Sequence, residues 1–219
     1  MSEAPRRRSL WGLVLLAVVS SAVLAGLGTW QVQRLGWKTA LIAERETLMA
    51  AEPLVITDIA ASVPGWRRVR VGGEFLNDKS LLVGPHSWHS LPHWRLVTPL
   101  RLPTGGFVLV DRGWVPDQGK RAAFRGAARP AGQVTVEGIA RLPTATGYFS
   151  PPNLPEKDSW FRVAPEAMGV RLALANVAPF WVVAQGRNAD GGYPVPDVQI
   201  PMPPNNHLQY AITWYGLAL

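Results

Sequence analysis

The sequence predicts an α+β membrane protein. Two transmembrane helices, the second one truncated, flank an antiparallel β-rich domain, either a barrel or a sandwich. Three observations predict it. Leu10–Trp30, "LWGLVLLAVVSSAVLAGLGTW", is 21 residues without a charge. From about residue 64 the hydrophobic period changes to two, as strands require. Leu208–Leu219 is again uncharged and carries Tyr210, Trp214 and Tyr215, residue types that favour the membrane–water interface.

Residues 1–9 contain Arg6, Arg7 and Arg8 immediately before the apolar run. The positive-inside rule then keeps this end in the cytoplasm and sends the chain beyond Trp30 outside. At 1.5 Å per residue, residues 10–30 reach about 31 Å, close to the hydrocarbon thickness of a bilayer. A cleaved signal peptide ending near Ser20 and Ala22 is the alternative. The run is long for that, and it ends on an interfacial tryptophan. Residues 31–52 contain Leu35, Leu41, Ile42, Leu48 and Met49 at near-helical spacing, with Arg34, Lys38, Arg45 and Glu46 between them. This predicts an amphipathic extension of the first helix that ends near Glu52-Pro53.

Residues 53–205 read as the β-rich outer domain. "WRRVRVGGEF" alternates, and "SLLVG" comes after "NDK", so the two are expected to form a hairpin. "WRLVTPLRL" and "GFVLVDRGWVP" are separated by "PTGG", a strong turn. Phe107–Val110 is apolar on both faces, which predicts a central strand. "GQVTVEGIARL" and "PFWVVAQG" complete a set of about six to eight strands. "APEAMGVRLAL" predicts one short helix with Pro165 in its first turn. The 20 Pro and 21 Gly fit this turn-rich domain better than a helical bundle. Residues 206–219 are expected to open the second transmembrane helix.

The net charge of +7 comes from scattered arginines, which argues against a nucleic-acid surface. The absence of cysteine excludes disulfides, thiolate metal sites and Cys-x-x-Cys redox chemistry. "HSWHSLPH" groups His86, His89 and His93, but the spacing suits no preformed metal site. His86 and His89 would point to opposite faces of a strand, and Pro92 interrupts the approach to His93. A surface loop is the expectation, with a His-based metallochaperone as the lesser alternative. Asp111 and Arg112 read as a neighbouring structural ion pair. No nucleophile elbow, Walker or Rossmann pattern is present, so no catalytic site is expected.

His207 is the remaining candidate. From spacing alone it is either a solvated or capping residue or a functional one. In a helical hairpin His207 would lie level with Gly28–Gln31. His207, Tyr210 and Trp214 share a stripe at i, i+3 and i+7. Across from them Ser21, Ala25 and Thr29, with Ala22 and Gly26 beside them, form a small-residue face that permits close approach. An imidazole among aromatics beside such a groove is chemically suited to axial ligation of a haem.

"GTWQVQRLGWKTALI" at Gly28–Ile42, "VLVDRGWVP" at Val108–Pro116 and "NNHLQYAITWYGLAL" at Asn205–Leu219 closely resemble the Surfeit locus protein 1 family. The order and spacing match over nearly the whole chain. The resemblance implies a non-enzymatic inner-membrane assembly factor for haem–copper cytochrome c oxidase, with two transmembrane helices around an outer, periplasmic domain. It implies a role in inserting haem a into the catalytic subunit. In bacterial members the histidine opening the second helix is the implicated haem a ligand, and it maps onto His207. Trp30, Tyr210 and Trp214 would shape the pocket. Contact with haem a synthase is a further expected partnership. The alternative is a membrane scaffold that contacts oxidase subunits or the synthase and never holds haem. Three departures stand out. The family's second helix normally continues well beyond the position of Leu219, the family often has an Asp soon after the tryptophan at Trp160, and Asp111 stands where an Asn is usual.

Overall fold

The computed structural model describes residues 10–88, 90–117, 124, 127–144, 147, 150–186, 192–197, 200 and 202–219. Arg6–Arg8 and His89 lie outside the described residues. The chain divides into two compact units. One is residues 1–44 with 201–219, and the other is residues 45–200.

The first unit is helical. Helix α1 runs without interruption over Leu10–Ala50, and its first 35 residues belong here. No proline occurs within it, and leucine, alanine and other good helix formers dominate. The expected span and extension are therefore one continuous helix, with no break in the backbone between them. None of its apolar window is buried, unlike the core helix of a soluble protein. Among the described residues α1 is the one helix long and apolar enough to cross a membrane. The C-terminal helix, His207–Ala218, has 12 residues, short of a span.

The second unit is built on seven strands. These are β1 (Leu54–Ile56), β2 (Arg68–Phe75), β3 (Leu81–Trp88), β4 (Leu91–Arg101), β5 (Phe107–Pro116), β6 (Gln133–Arg141) and β7 (Val177–Ala184). Their order is β1-β2-β6-β7-β5-β4-β3, and a further pairing of β2 with β4 closes a ring of five strands. The closure is short, with Glu74 opposite Arg101 and Phe75 opposite Leu100. It depends on Gly73, where a methyl group would run into the Arg101 carbonyl.

The ring encloses Val69, Val71, Leu100, Val108, Val110, Phe180 and Val182, all at most 1% exposed. These positions recur every second residue, so strict alternation in β2, β5 and β7 fills the interior. Leu109 points the other way and joins Leu81, Val83, Val97, Trp160 and Met168 in a second core. This is why Phe107–Val110 is apolar on both faces. Met168 comes from the short helix α2, Pro165–Arg171, which begins on Pro165 as expected. The C-terminal helix is α3.

Four expectations are corrected. The sheet is mixed rather than antiparallel, because β1 runs parallel to β2 and β7 runs parallel to β5. β2 and β3 do not form a hairpin. The chain makes a 3-10 turn over Asn77–Lys79, with Leu76 N–H bound to Pro99 O at 2.9 Å. β2 and β3 instead follow one another along the same edge of β4, with Phe75 opposite Leu100 and Leu81 opposite Val97, while β5 occupies the other edge. "HSWHSLPH" is no surface loop. Its ends are the arms of the β3–β4 hairpin, where His86 faces His93, and His93 is buried. Finally, Asp111 is paired with Arg95 rather than Arg112. The Arg95 Nε donates to Asp111 at 2.5 Å, and its Nη2 donates to Asp197 at 2.7 Å. Adjacent residues of a strand face opposite ways, and Asp111 and Arg112 are adjacent in β5.

Candidate functional site

Along α1 the residues withdrawn from solvent include Ser21, Ala25, Gly28 and Gln31, at i, i+4, i+7 and i+10. Gly28 and Gln31 are the buried ones. On α3 the corresponding stripe is His207, Ala211 and Trp214. The two stripes meet through small residues. A Cβ on Gly28 would sit 2.9 Å from ring carbons of Tyr215, so glycine is what admits the phenol. The phenol then reaches Thr29. The Thr29 hydroxyl donates to Ala25 O at 3.0 Å and accepts from Tyr215 OH at 2.9 Å.

His207 is the first residue of α3 and is half-buried. It does not cap the helix. Its Nδ1 lies 2.7 Å from Oε1 of Gln31, which is 8% exposed. An amide oxygen accepts only, so Nδ1 carries the proton, and in the neutral ring Nε2 keeps its lone pair. The site thus holds an imidazole in one tautomer with its other nitrogen free of that bond. Asn205, two residues earlier, donates to Thr39 Oγ1 at 3.2 Å, while its Oδ1 is buried without a partner among the described residues.

The structure also places the other residues singled out from the sequence. Trp214 is half-buried on the His207 stripe. Tyr210 is 53% exposed and turns away from Ala211. Trp30 is 49% exposed, and the Arg34 guanidinium lies between its ring and that of Trp37, at 5.8 and 4.8 Å. Thr29 joins the contact through Tyr215, whereas Ala22 and Gly26 face outward. Sequence reasoning missed Gln31 and Tyr215. The signal for Gln31 was its place three residues after Gly28 on the small-residue face, where a polar group needs a partner.

The β unit holds the other unusual electrostatics. Burial pushes the Asp111 carboxyl above its ordinary value, and Arg95 pulls against that push. Burial opposes the charge on Arg95, but Asp111 and Asp197 outweigh it and raise the guanidinium further. Arg95 also lies 4.5 Å over Trp114, whose indole donates to Asp197. The imidazole of His86, edge-on to Trp114, is lowered by burial and then by Arg95. Among the described residues no three His, Asp or Glu side chains group closely enough to hold a metal ion.

An N-terminal helix long and apolar enough to cross a membrane, packed by a short helix that presents a histidine, and a closed mixed β unit define the class: a β-barrel protein with a helix suited to membrane anchoring. Residues 18–219 match the SURF1 family. The chain is 34% identical to a SURF1-like protein of Monosiga brevicollis, over 95% of this chain and 82% of that one. It is 32% identical to Surfeit locus protein 1 of Mus musculus, over 94% of this chain and 71% of the relative. It is 28% identical to a SURF1-like protein of Rickettsia felis, over 94% and 91%. The chain belongs to the SURF1 family.

Proposed function

We propose that this protein is an inner-membrane assembly factor for haem–copper cytochrome c oxidase that receives haem a and hands it to the catalytic subunit. Residues 1–9 lie in the cytoplasm, and the β unit lies in the periplasm. The observation that carries this reading is the bond between His207 Nδ1 and Gln31 Oε1. A histidine that ligates a metal usually donates its other ring N–H to a fixed acceptor, which sets the tautomer and ring orientation. Gln31 does so here and leaves Nε2 available.

The donor set fits a haem cargo. A neutral imidazole is a haem axial ligand, and half-buried Trp214 offers an apolar surface to a planar ring. His207 would hold the iron, Trp214 would line the ring, and Trp30 and Tyr210 would extend the apolar rim. Haem a synthase is the proposed donor, and the oxidase catalytic subunit is the acceptor. Release requires only that the imidazole yield its place to a ligand of the acceptor, with no covalent bond made to this chain.

The test is complementation. A strain lacking the protein is supplied with full-length wild type or His207→Ala, and the haem a content of its oxidase is measured. Haem a-deficient oxidase with normal levels of the variant protein is expected. Full haem a content would instead support a scaffold that contacts the oxidase or the synthase without holding haem. A reporter fused after Glu52 should be active only outside the cytoplasm.

A further inference from the structure

Two arginines of the β unit are both largely buried, and their surroundings differ. Arg95 has two aspartates. Arg112 is 8% exposed and has no carboxylate partner among the described residues. Its Nη2 donates to Ala128 O at 2.8 Å, its Nη1 makes a long 3.4 Å contact with Asn77 Oδ1, and its guanidinium lies 4.7 Å over Phe75. The remaining N–H groups have no protein acceptor among the described residues. Burial without a counter-ion pushes the group down to about 10.

A buried cation with no opposite charge is costly. A methionine would fill the same space over Phe75 without that cost. Arg112 is not sealed in, however. It lines a cleft of about 270 Å³ walled by Val134, Val136, Pro194 and Pro196, with Thr135 and Gln185 also lining it. The acidic residue of that lining, Glu137, is committed to Arg70 and Arg68. The charge therefore faces an open slot whose lining is about equally polar and apolar.

We infer that this cleft is a docking site for an acidic residue of a partner polypeptide, whose carboxylate pairs with the Arg112 guanidinium. One guanidinium balances one carboxylate and can meet it with two parallel N–H···O bonds. A phosphate dianion would leave surplus negative charge between proline and valine walls. The volume lies below that of a typical cofactor pocket and suits a side chain with its neighbours. The walls offer apolar contact to those neighbours, which is how a single buried charge becomes a selective anchor. This site is separate from His207, and its tests read out independently of the haem proposal.

The experiment uses the full-length protein in detergent and three probes: N-acetyl-Val-Glu-Val-amide, its Gln counterpart and inorganic phosphate. Binding is followed by calorimetry and by the arginine Nε–H resonances. The Glu peptide should bind at least about tenfold tighter than the Gln peptide, with a shift of the Arg112 Nε–H. Arg112→Met should abolish this difference, and Arg112→Lys should weaken Glu-peptide binding about tenfold, because it keeps the charge and loses the fork. Thr135→Trp narrows the cleft while leaving Arg112 in place, and it too should abolish binding, which covers the case where Arg112→Met does not fold. Equal affinity for both peptides, binding that survives Thr135→Trp, response to phosphate alone, or no response at tens of millimolar would each overturn the proposal.

Discussion

The β unit and the helix pair are held together by different forces. In the β unit, aliphatic side chains on five strands are withdrawn from solvent almost completely, and the hydrophobic effect in water organises the ring. In the helix pair the long apolar side chains point outward, Leu15 and Ile212 among them. What meets between the helices is mostly small or polar: Gly28, Gln31, Ala211, Thr29 and His207, with the Tyr215 ring admitted at Gly28. Close packing at Gly28 and hydrogen bonds at Thr29 and Gln31 therefore set their alignment. The comparison teaches that a buried polar residue can serve the fold or serve a site. In the β unit, Asp111 and Asp197 are neutralised by Arg95 to keep the fold. Between the helices, Gln31 is spent on orienting a single imidazole.

The largest expected effect breaks the β unit alone. Arg95→Leu leaves Asp111 and Asp197, whose side chains are 5% and 15% exposed, without their cation. A loss of about 3–5 kcal/mol is expected, read as a lower denaturant midpoint for the β signal. Next is Gly28→Val, which drives a side chain into the Tyr215 ring. The β unit should unfold at its usual midpoint, while a Gln31→Cys/His207→Cys pair should cross-link less efficiently in the Gly28→Val background than without it. Unchanged cross-linking would mean that the small-residue face is not what admits α3. Tyr215→Phe removes only the bond to Thr29 and should cost about 1 kcal/mol of helix association in the same assay.

The smallest effect is a pH dependence. The folded-state value of His86 is depressed below its unfolded one, so the unfolded chain takes up the proton first. Stability of the β unit should be complete above the ordinary histidine range and fall as pH drops through it towards the folded value. His86→Gln should flatten that slope. An unchanged slope would place the titration elsewhere.

Much of this architecture was legible because it rests on local pattern. The uncharged run marks α1, alternation marks β2 and β6, the two-faced apolar stretch marks β5, and Pro165 marks the start of α2. Long-range choices were not legible. "NDK" is short enough to turn a hairpin, and only the pairing of Leu76 with Pro99 shows the chain carrying on along the edge of β4 instead of turning back. The parallel partnership of β5 with β7 joins segments on either side of β6, and no local period encodes that. Asp111 has an arginine beside it in sequence but takes Arg95, because strand geometry turns neighbours apart. At the helix pair, the level of His207 against Gly28–Gln31 came from hairpin geometry. The identity of its partner did not, because a glutamine announces neither a ligand nor an orienting role.

The central claim is that His207, aligned by Gln31, offers Nε2 to haem a. The most direct measurement is the absorption spectrum of full-length protein purified from membranes that make haem a, comparing wild type, Gln31→Ala and His207→Ala. Wild type should carry haem a, Gln31→Ala should hold it about tenfold more weakly, as loss of an orienting partner does, and His207→Ala should carry none while inserting normally. Stoichiometric haem a on His207→Ala would contradict the account.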